Sequence, residues 1–179
     1  MTELKRTPFY ELQAAAGARF VPFAGWEMPV QFSGVITEHK AVRSAVGLFD
    51  VSHMGEVTVR GPQAFEGLQR ALTNDLSKLE DGDALYTVMC LEDGGIIDDL
   101  IIYRVTCDDY FICINASRRD ADVSHLKERL TRFDCVLEDC SDSYAQLALQ
   151  GPEAVEVLKA ISDVDLEAMK PFTFLDTAV

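Results

Sequence analysis

The spacing of hydrophobic residues changes along the chain and predicts a mixture of helices and strands. Residues 64–72 carry apolar side chains every three or four positions, which predicts an amphipathic helix. The segment Glu92-Asp93-Gly94-Gly95 is typical of a hairpin turn between two strands. Strands and helices in this arrangement predict an α+β fold. The segments that alternate between apolar and polar residues, or run apolar, are the predicted strands 57–59, 85–90, 96–105 and 110–114.

The first part of the chain has a less regular pattern. Thr7–Leu12 reads as a helix cap and a short helix, which Gly17 ends. Phe20–Pro29 is rich in aromatic residues but contains prolines and a glycine, so we predict a packed loop there. Residues 37–45 predict a helix that ends at Gly47.

Three further segments complete the pattern of elements. Asn115 follows a predicted strand and is expected to cap a helix that runs to about Leu130. Residues 135–137 predict a short strand. The apolar residues 171–179 are expected to form a strand that is cut short, and we expect the chain to be a truncated product.

A strand, Gly-Pro and helix pattern occurs twice, with a constant separation of ninety residues. The first copy is centred on Gly61-Pro62 and the second on Gly151-Pro152. Proline is common near the start of a helix, so coincidence is one explanation. Two related α+β subdomains explain the repeat more fully.

Charge and composition narrow the classes of function. The chain has 30 acidic and 16 basic residues and a net charge of −14, which disfavours nucleic acid as a partner. A highly soluble surface explains this charge, and a docking face for a basic partner is the alternative. No apolar run reaches the roughly 18 residues that a membrane span needs, and the start lacks the apolar stretch of a secretory signal. We therefore expect a cytoplasmic bacterial protein without a membrane or nucleic-acid partner.

The cysteine and histidine residues predict no metal site. The cysteines form no Cys-x-x-Cys pair and do not stand at zinc-ligand spacing from a histidine. Reduced thiols packed as small apolar groups are the expected state. The chain also lacks the sequence patterns of P-loop, dinucleotide-binding and nucleophilic hydrolase sites.

The pair Asp98-Asp99 lies in the middle of an apolar predicted strand. Side chains alternate along a strand, so the two carboxylates face opposite sides. Asp98 shares its side with Arg104, a candidate cation, whereas Asp99 has no cation nearby in the strand. A carboxylate among apolar groups is costly unless a charge, hydrogen bonds or a proton compensates. Asp99 therefore has three explanations: a distant ion pair, a wet cleft or a functional site.

Four other positions have both a structural and a functional interpretation. Asn115 is either a helix cap or a reader of the donor and acceptor edge of a heterocycle. Tyr86 and Tyr103 are either core aromatics or walls that stack on a flat ligand. Met54 either fills a gap in the core or lines a pocket.

Several strings of the chain, taken in order, resemble the T-protein family, the folate-dependent aminomethyltransferases of the glycine cleavage system. Each string is weak alone, but their common order and spacing are specific. The resemblance covers nearly the whole chain, from about Thr7 to Phe174. The strings are Thr7-Pro8-Phe9, Phe23-Ala24-Gly25-Trp26-Glu27-Met28-Pro29, residues 41–56 with Ser52-His53-Met54-Gly55-Glu56, Thr73-Asn74-Asp75, residues 94–103 and Leu149-Gln150-Gly151-Pro152.

The resemblance implies a reaction and a set of site residues. Members of the family transfer the one-carbon unit of an aminomethyl group, carried on the lipoyl arm of the H-protein, to tetrahydrofolate. Ammonia is released, the lipoyl group is left reduced, and no metal is required. By this resemblance Asp99 is the catalytic-site carboxylate beside the folate. The positions that match folate-lining residues are Met54, Tyr86, Ile101, Tyr103 and Asn115.

The resemblance also implies an architecture. We expect two intertwined α/β subdomains with mostly antiparallel sheets: residues 1–54 with 140–179, and the insertion 55–139. The ligand cleft is expected between them. Family members add a β-rich C-terminal domain with further folate and H-protein contacts, so we expect the fragment alone to be inactive. Two alternatives stay open: the folate domain of a sarcosine- or dimethylglycine-oxidising enzyme, and a non-enzymatic folate-binding assembly factor.

Overall fold

The structure is a computed structural model that describes residues 3–177. Its helices and its antiparallel sheets confirm the predicted α+β class. Among the described residues, no helix is long and apolar enough to cross a membrane. The helices are α1 (Tyr10–Ala15), α2 (Val35–Ser44), α3 (Ala64–Ala71), α4 (Arg119–Leu130) and α5 (Ala154–Lys159). The strands are β1 (Arg19–Phe23), β2 (Trp26–Gln31), β3 (Gly47–Asp50), β4 (Gly55–Arg60), β5 (Ala84–Cys90), β6 (Ile96–Thr106), β7 (Asp109–Ile114), β8 (Val136–Asp139) and β9 (Leu147–Gln150).

By its internal contacts the chain divides into two compact units. The first contains the residues up to His53 together with Ala145–Ala168. The second contains Met54–Tyr144 together with Met169–Asp176. The subdomain boundaries derived from the sequence stay a prediction about folding units.

The first unit has a two-stranded hairpin where the sequence predicts a packed loop. β1 and β2 pair antiparallel, with Phe23 opposite Trp26. Ala24 and Gly25 form the turn, with φ of 49° and 83°. A two-residue hairpin turn often requires positive φ at both central residues, and an alanine in this place hides the turn from sequence reasoning. Both strands are edge strands, where prolines are tolerated. Because β1 and β2 pair in this hairpin, the loop predicted for residues 20–29 is wrong.

The rest of the first unit is held together by a short sheet and a shared carboxylate. β3 and β9 pair antiparallel, with Gly47 opposite Gln150. Thr7 is not a helix cap, because its hydroxyl donates to the Asp50 carboxylate at 2.6 Å. Gln13 of α1 donates to the same carboxylate at 2.7 Å. These two bonds fix α1 and the segment before it to the end of β3.

The second unit is built on a five-stranded antiparallel sheet with the order β5-β6-β7-β4-β8. The helices α3 and α4 cover one face of it, and their apolar residues join those of the strands in one core. Each large aliphatic side chain that is fully buried there contributes about 1.5–3 kcal/mol relative to an exposed one. Fully buried members of this core are Val57, Val59, Leu68, Leu76, Met89, Ile102, Ile112, Ile114 and Leu126.

Local patterns predicted this unit well, and its C-terminal segment poorly. The predicted strands 85–90 and 96–105 correspond to β5 and β6, and the predicted helix 64–72 corresponds to α3. The strand predicted for 171–179 is wrong over residues 171–177, where Thr173 makes an isolated bridge with Asp83. Residues 178 and 179 lie outside the described residues.

Gly61 and Gly151 stand at equivalent points of the two repeated segments. Gly61 follows β4 of the five-stranded sheet, Gly151 follows β9 of a two-stranded sheet, and a helix begins shortly after each. Their φ values are 142° and 126°. A Cβ on Gly61 would lie 2.6 Å from a backbone oxygen, and one on Gly151 would lie 2.4 Å from another. The repeat therefore has the same local structure in each unit, as the sequence predicts, and both positions require glycine.

Candidate active site

β6 sends different side chains to the two faces of the five-stranded sheet. Leu100 and Ile102 point into the helix-covered core and are 2% and 0% exposed. Asp99, Ile101 and Tyr103 lie on the opposite face and are half-buried. We call the face that carries Asp99, Ile101 and Tyr103 the site face. The alternation along β6 therefore brings three of the candidate residues to one surface.

Tyr86 of β5 adds an aromatic hydroxyl to the site face. It is paired with Ile101 across the sheet, and Val88 of the same strand is paired with Asp99. Hydrogen bonding to the Asp99 carboxylate raises the pKa of Tyr86, and desolvation adds to this shift. The hydroxyl therefore keeps its proton at neutral pH and donates toward Asp99. The tyrosine is 49% exposed, so a ligand can reach its ring.

Asn115 follows β7 and binds β6 instead of capping a helix. Its Nδ2 donates to the Oδ1 atom of Asp98 at 3.0 Å and to the backbone carbonyl of Asp99 at 3.1 Å. α4 begins only at Arg119, with Arg118 as its N-cap residue. The helix-cap interpretation is wrong, because the neighbouring strand offers two acceptors to the carboxamide.

Tyr103 lies at the margin of the cluster formed by Tyr86, Asp99 and Asn115. Its ring packs edge-on against the rings of Phe111 and Phe174, with centroid distances of 5.9 and 5.5 Å. Burial raises the pKa of Tyr103, so this hydroxyl is also protonated at neutral pH. The contacts fix the ring as a wall of the site face.

Met54 reaches the site through the pairing of β4 with β7. It is half-buried and directly precedes Gly55, which pairs with Ile114. This pairing places the Met54 backbone level with Asn115, which follows Ile114. The structure thus brings Tyr86, Asp99 and Asn115 into contact and places Met54 beside them.

Asp98 has a different partner from the one that the sequence indicates. Arg104 donates its Nε to Asp81 at 2.8 Å and is therefore engaged elsewhere. Six residues of a strand span about 20 Å, so two side chains on one face can be far apart. Asp98 instead accepts a hydrogen bond from Asn115 and faces the carboxyl of Asp122 on α4.

Asp122 is a buried acid that sequence reasoning missed. It is 0% exposed, and neither of its carboxyl oxygens has a hydrogen-bond partner among residues 3–177. Desolvation, followed by the hydrogen-bonding and charge effects of Asp98, raises the pKa of Asp122 to about 8. A signal was available, because Asp122 stands at helical spacing from the core residues Leu126 and Leu130.

Glu56 is a second buried acid, and it lies on the site face. It pairs with Cys113 of β7, which in turn pairs with Ile101. Glu56 is 3% exposed, and its carboxyl oxygens have no hydrogen-bond partner within the described part of the chain. Burial raises the pKa of Glu56 to about 7, although the charge of Arg119 opposes this shift. The burial of Glu56 could not be predicted from the sequence, since a charged residue that alternates with valines is typical of a half-exposed strand.

The cluster on the site face combines negative charge with groups that hydrogen-bond a flat ligand. None of the ion pairs within residues 3–177 includes Asp99. A carboxylate that is fixed but not paired with a cation can stabilise positive charge that develops on a bound reactant. Tyr86 offers a ring for stacking, and Asn115 offers a carbonyl oxygen as an acceptor. The arrangement suits a heterocyclic ligand next to a carbon that becomes cationic.

Neither a metal-binding group nor the apolar groove of the first unit forms part of the candidate site. Among the described residues, no group of three or more His, Cys, Asp or Glu side chains is placed to hold a metal ion. A groove of about 630 Å³ lies in the first unit and is lined by apolar side chains such as Phe9, Leu12, Val42 and Leu48. None of the candidate site residues lines this groove.

Comparison of sequences places the chain among known proteins. It matches a family model described as the GCVT N-terminal domain over residues 9–179. It is 51% identical over 175 residues to an aminomethyltransferase from Bacillus pumilus, covering 98% of this chain and 48% of that relative. It is 50% identical over 172 residues to an aminomethyltransferase from Lysinibacillus sphaericus, covering 96% and 47%. The chain spans about half the length of the curated relatives it matches.

One solved structure supports the family match, and a second shares the fold. The chain is similar to the glycine cleavage system aminomethyltransferase T from Bartonella henselae, with a TM-score of 0.86 and 38% identity over 96% of this chain and 47% of that one. A heterotetrameric sarcosine oxidase from Corynebacterium sp. U-96 matches with a TM-score of 0.57 and 18% identity over 92% of this chain and 70% of that one, which shows a likeness of fold alone. The family match covers nearly the whole chain, and the resemblance seen in the sequence is confirmed. The chain belongs to the GCVT N-terminal domain family.

Proposed function

We propose that the full-length protein, in which this chain is continued to the length of its relatives, is a tetrahydrofolate-dependent aminomethyltransferase of the glycine cleavage system. It takes the one-carbon unit from the aminomethyl group on lipoylated H-protein. The products are methylenetetrahydrofolate, ammonia and the reduced lipoyl protein. The observation that carries the proposal is the Asp99 carboxylate on the site face of a chain from this family, where no ion pair within residues 3–177 includes it.

The proposed reaction exchanges two bonds of one carbon atom. The carbon loses its bonds to the amine nitrogen and to the lipoyl sulfur, and it gains two bonds to folate nitrogens. The two protons that leave the folate N–H groups end on ammonia and on the lipoyl thiol. Between these steps the carbon is iminium-like and therefore cationic. The Asp99 carboxylate stabilises that charge and holds the reacting groups together.

The other site residues bind and orient the tetrahydrofolate in this proposal. Tyr86 donates toward Asp99 and keeps the carboxylate in position. The carbonyl oxygen of Asn115 accepts from the N–H edge of the pterin. The wall of the site consists of Met54, Ile101 and Tyr103.

A transfer assay tests the proposal directly. The full-length protein is mixed with aminomethylated H-protein and tetrahydrofolate, and ammonia and methylenetetrahydrofolate are measured together. Equal amounts of both products, formed only when H-protein is present, are the expected result. Capture of free formaldehyde without a response to H-protein would instead indicate the folate domain of an oxidising enzyme. Folate binding without any turnover would indicate an assembly factor.

We further propose that residues 1–179 alone bind tetrahydrofolate weakly and do not catalyse the transfer. The glutamate tail of the folate carries carboxylates, which are bound best by arginine or lysine. None of the candidate site residues, Met54, Tyr86, Asp99, Ile101, Tyr103 and Asn115, is an arginine or a lysine. Two missing charge-assisted contacts cost about 3–6 kcal/mol, a hundredfold or more in affinity. Calorimetric titration of the chain and of the full-length protein at matched salt measures this difference, and equal dissociation constants would contradict it.

A further inference from the structure

A pair of buried carboxyl groups lies behind the site face, and the proposed chemistry does not use it. Asp122 is 0% exposed, and both of its carboxyl oxygens lack a hydrogen-bond partner within residues 3–177. The Oδ2 atom of Asp98 is buried and unpartnered in the same way. The charged groups that act on Asp122 are Asp98 and Asp99 from β6 and Arg118 at the start of α4.

One proton satisfies two of these three oxygens and leaves the third as the carbonyl oxygen of a neutral acid. Two adjacent carboxyl groups away from water cannot both be ionised, so the pair retains a proton near neutral pH. The proton lies on Asp122, because this residue is fully buried whereas Asp98 is only half-buried, and burial raises the pKa of Asp122 to about 8. The Asp122 hydroxyl then donates to Oδ2 of Asp98, which is the missing hydrogen bond on both sides. Asp98 in turn accepts a hydrogen bond from Asn115 at 3.0 Å.

The position of this proton decides which way the Asn115 carboxamide points. The Nδ2 of Asn115 lies between two acceptors, Oδ1 of Asp98 and the carbonyl of Asp99. A reversed carboxamide would set its own oxygen against these two oxygens, which is repulsive. A proton on Oδ1 of Asp98 would replace one of these two repulsions with a hydrogen bond and make the reversed orientation less costly. Because the Nδ2 of Asn115 donates to these two acceptors, its carbonyl oxygen is left for the ligand.

We infer that Asp122 is a positioning residue of the folate site. Its protonated carboxyl holds Asp98, and Asp98 holds the Asn115 carboxamide with its carbonyl oxygen toward the N–H edge of a reduced pterin. The identity of the ligand rests on the function proposed above, whereas the hydrogen-bond chain from α4 to Asn115 does not.

Two substitutions at Asp122 separate positioning from simple packing. Asp122→Asn keeps a donor for Asp98, whereas Asp122→Leu removes the donor at a similar size. In the full-length protein, Asp122→Leu is expected to raise the KM for tetrahydrofolate about tenfold, the effect of one lost hydrogen bond, and to change kcat much less. Asp122→Asn should restore the KM to within about threefold of the wild type. The matched controls Asp120→Asn and Asp120→Leu alter an exposed aspartate of the same helix and should change neither constant.

The pH dependence of folate affinity is an independent test of the positioning role of Asp122. In the wild type the affinity should fall as the pH rises through about 8, because Asp122 then loses the proton that it donates. Asp122→Asn cannot lose this donor, so its affinity should not show that step. A purely structural role would shift the unfolding midpoints of both variants and leave the KM and the pH profile unchanged. That result, or wild-type affinity in Asp122→Leu, overturns the inference.

A spectroscopic test needs no variant that could fail to fold. In full-length protein with carbon-13 in the aspartate carboxyls and nitrogen-15 in the asparagine side chains, the Asp122 resonance should titrate near pH 8. The Asn115 amide protons should be protected from exchange until the same pH. Titration of Asp122 near pH 4 would overturn the inference. If these signals behave as expected but tetrahydrofolate neither binds nor reacts, the proposed function fails and the folate role of Asp122 is overturned with it.

Discussion

The two faces of the five-stranded sheet give neighbouring carboxyl groups different environments. On the helix-covered face, Asp98 and Asp122 face each other among core residues, and burial favours the neutral form of Asp122. On the site face, Asp99 is half-buried beside the exposed ring of Tyr86. Asp98 and Asp99 are adjacent in β6, but Asp98 belongs to an internal hydrogen-bond chain, whereas Asp99 is accessible to a ligand. The side of the strand, rather than the residue type, sets the role.

Ile102 and Ile101 give the largest expected contrast between the faces. Ile102→Ala should lower the free energy of unfolding by about 2–5 kcal/mol, because this side chain is fully buried in the core. Ile101→Ala should cost on the order of 1 kcal/mol, because Ile101 is half-buried on the site face. Urea-induced unfolding of the two full-length variants measures both values. Equal costs would mean that the site face is packed as tightly as the core.

Glu56 provides a contrast in the pH dependence of stability. The raised pKa of Glu56 means that the folded state favours its neutral form. The unfolded state gains by ionising this group above about pH 4.5, so stability falls as the pH rises from there to about 7. This residue should contribute a loss on the order of 3 kcal/mol over that range.

The substitution Glu56→Gln should remove this part of the slope. The measurement is the free energy of unfolding at a series of pH values between about 4 and 8, with Glu138→Gln as a matched change at an exposed position of β8. If this free energy changed equally with pH in the wild type and in Glu56→Gln, the prediction would be contradicted. That result would indicate that the Glu56 carboxylate is paired with a cationic group in solution.

Asp99→Asn should lower turnover by the full-length protein at least tenfold, about 1.4 kcal/mol of barrier. The substitution removes the charge that stabilises the cationic carbon in the proposed mechanism, but it keeps the shape of the side chain. Folding should be little affected, since Asp99 is half-buried and takes part in no ion pair within residues 3–177. Steady-state transfer rates and unfolding midpoints are measured together, with Asp120→Asn as the control. A silent Asp99→Asn would remove Asp99 from the proposed mechanism.

Tyr86→Phe should have the smallest effect of the series. It removes the hydroxyl that donates toward Asp99 and keeps the ring, so the loss of turnover should be about two- to fivefold, near 0.5–1 kcal/mol. Tyr144→Phe makes the same change at another exposed tyrosine of this unit and should be neutral. A loss as large as that of Asp99→Asn would mean that the hydroxyl itself takes part in the chemistry.

Local patterns predicted the elements around the site but not all of the turns. β5, β6 and their connection follow from alternation and from a turn rich in aspartate and glycine. The hairpin of β1 and β2 was missed, because its turn uses Ala24 with a positive φ that alanine rarely adopts. Helix starts were also misjudged at Thr7 and Asn115, since distant acceptors compete for their side chains.

The part of the candidate site that lies on a single strand could be predicted from the sequence. Alternation alone puts Asp99, Ile101 and Tyr103 on one face, and the structure has them there. The partner of Asp98 could not be derived in this way, because Asp122 lies on α4, which follows β7 in the chain. The polar contacts behind the site are set by how α4 packs, which a single strand pattern does not contain.

The two edges of the five-stranded sheet have a consequence for behaviour at high concentration. An edge strand with free backbone groups is a template on which further chains can polymerise. β8, at one edge, is only four residues long. β5, at the other edge, has backbone groups that are already occupied within the same unit. These bonds run from Thr73 N to Val88 O at 3.0 Å, from Asn74 Nδ2 to Tyr86 O at 2.7 Å, and from Ala84 N to Phe172 O at 2.7 Å. Few backbone groups at the edges of this sheet are therefore free to pair with another chain, which opposes growth into amyloid-like fibrils. Loosening the segment around Phe172 would expose the edge of β5 and promote aggregation.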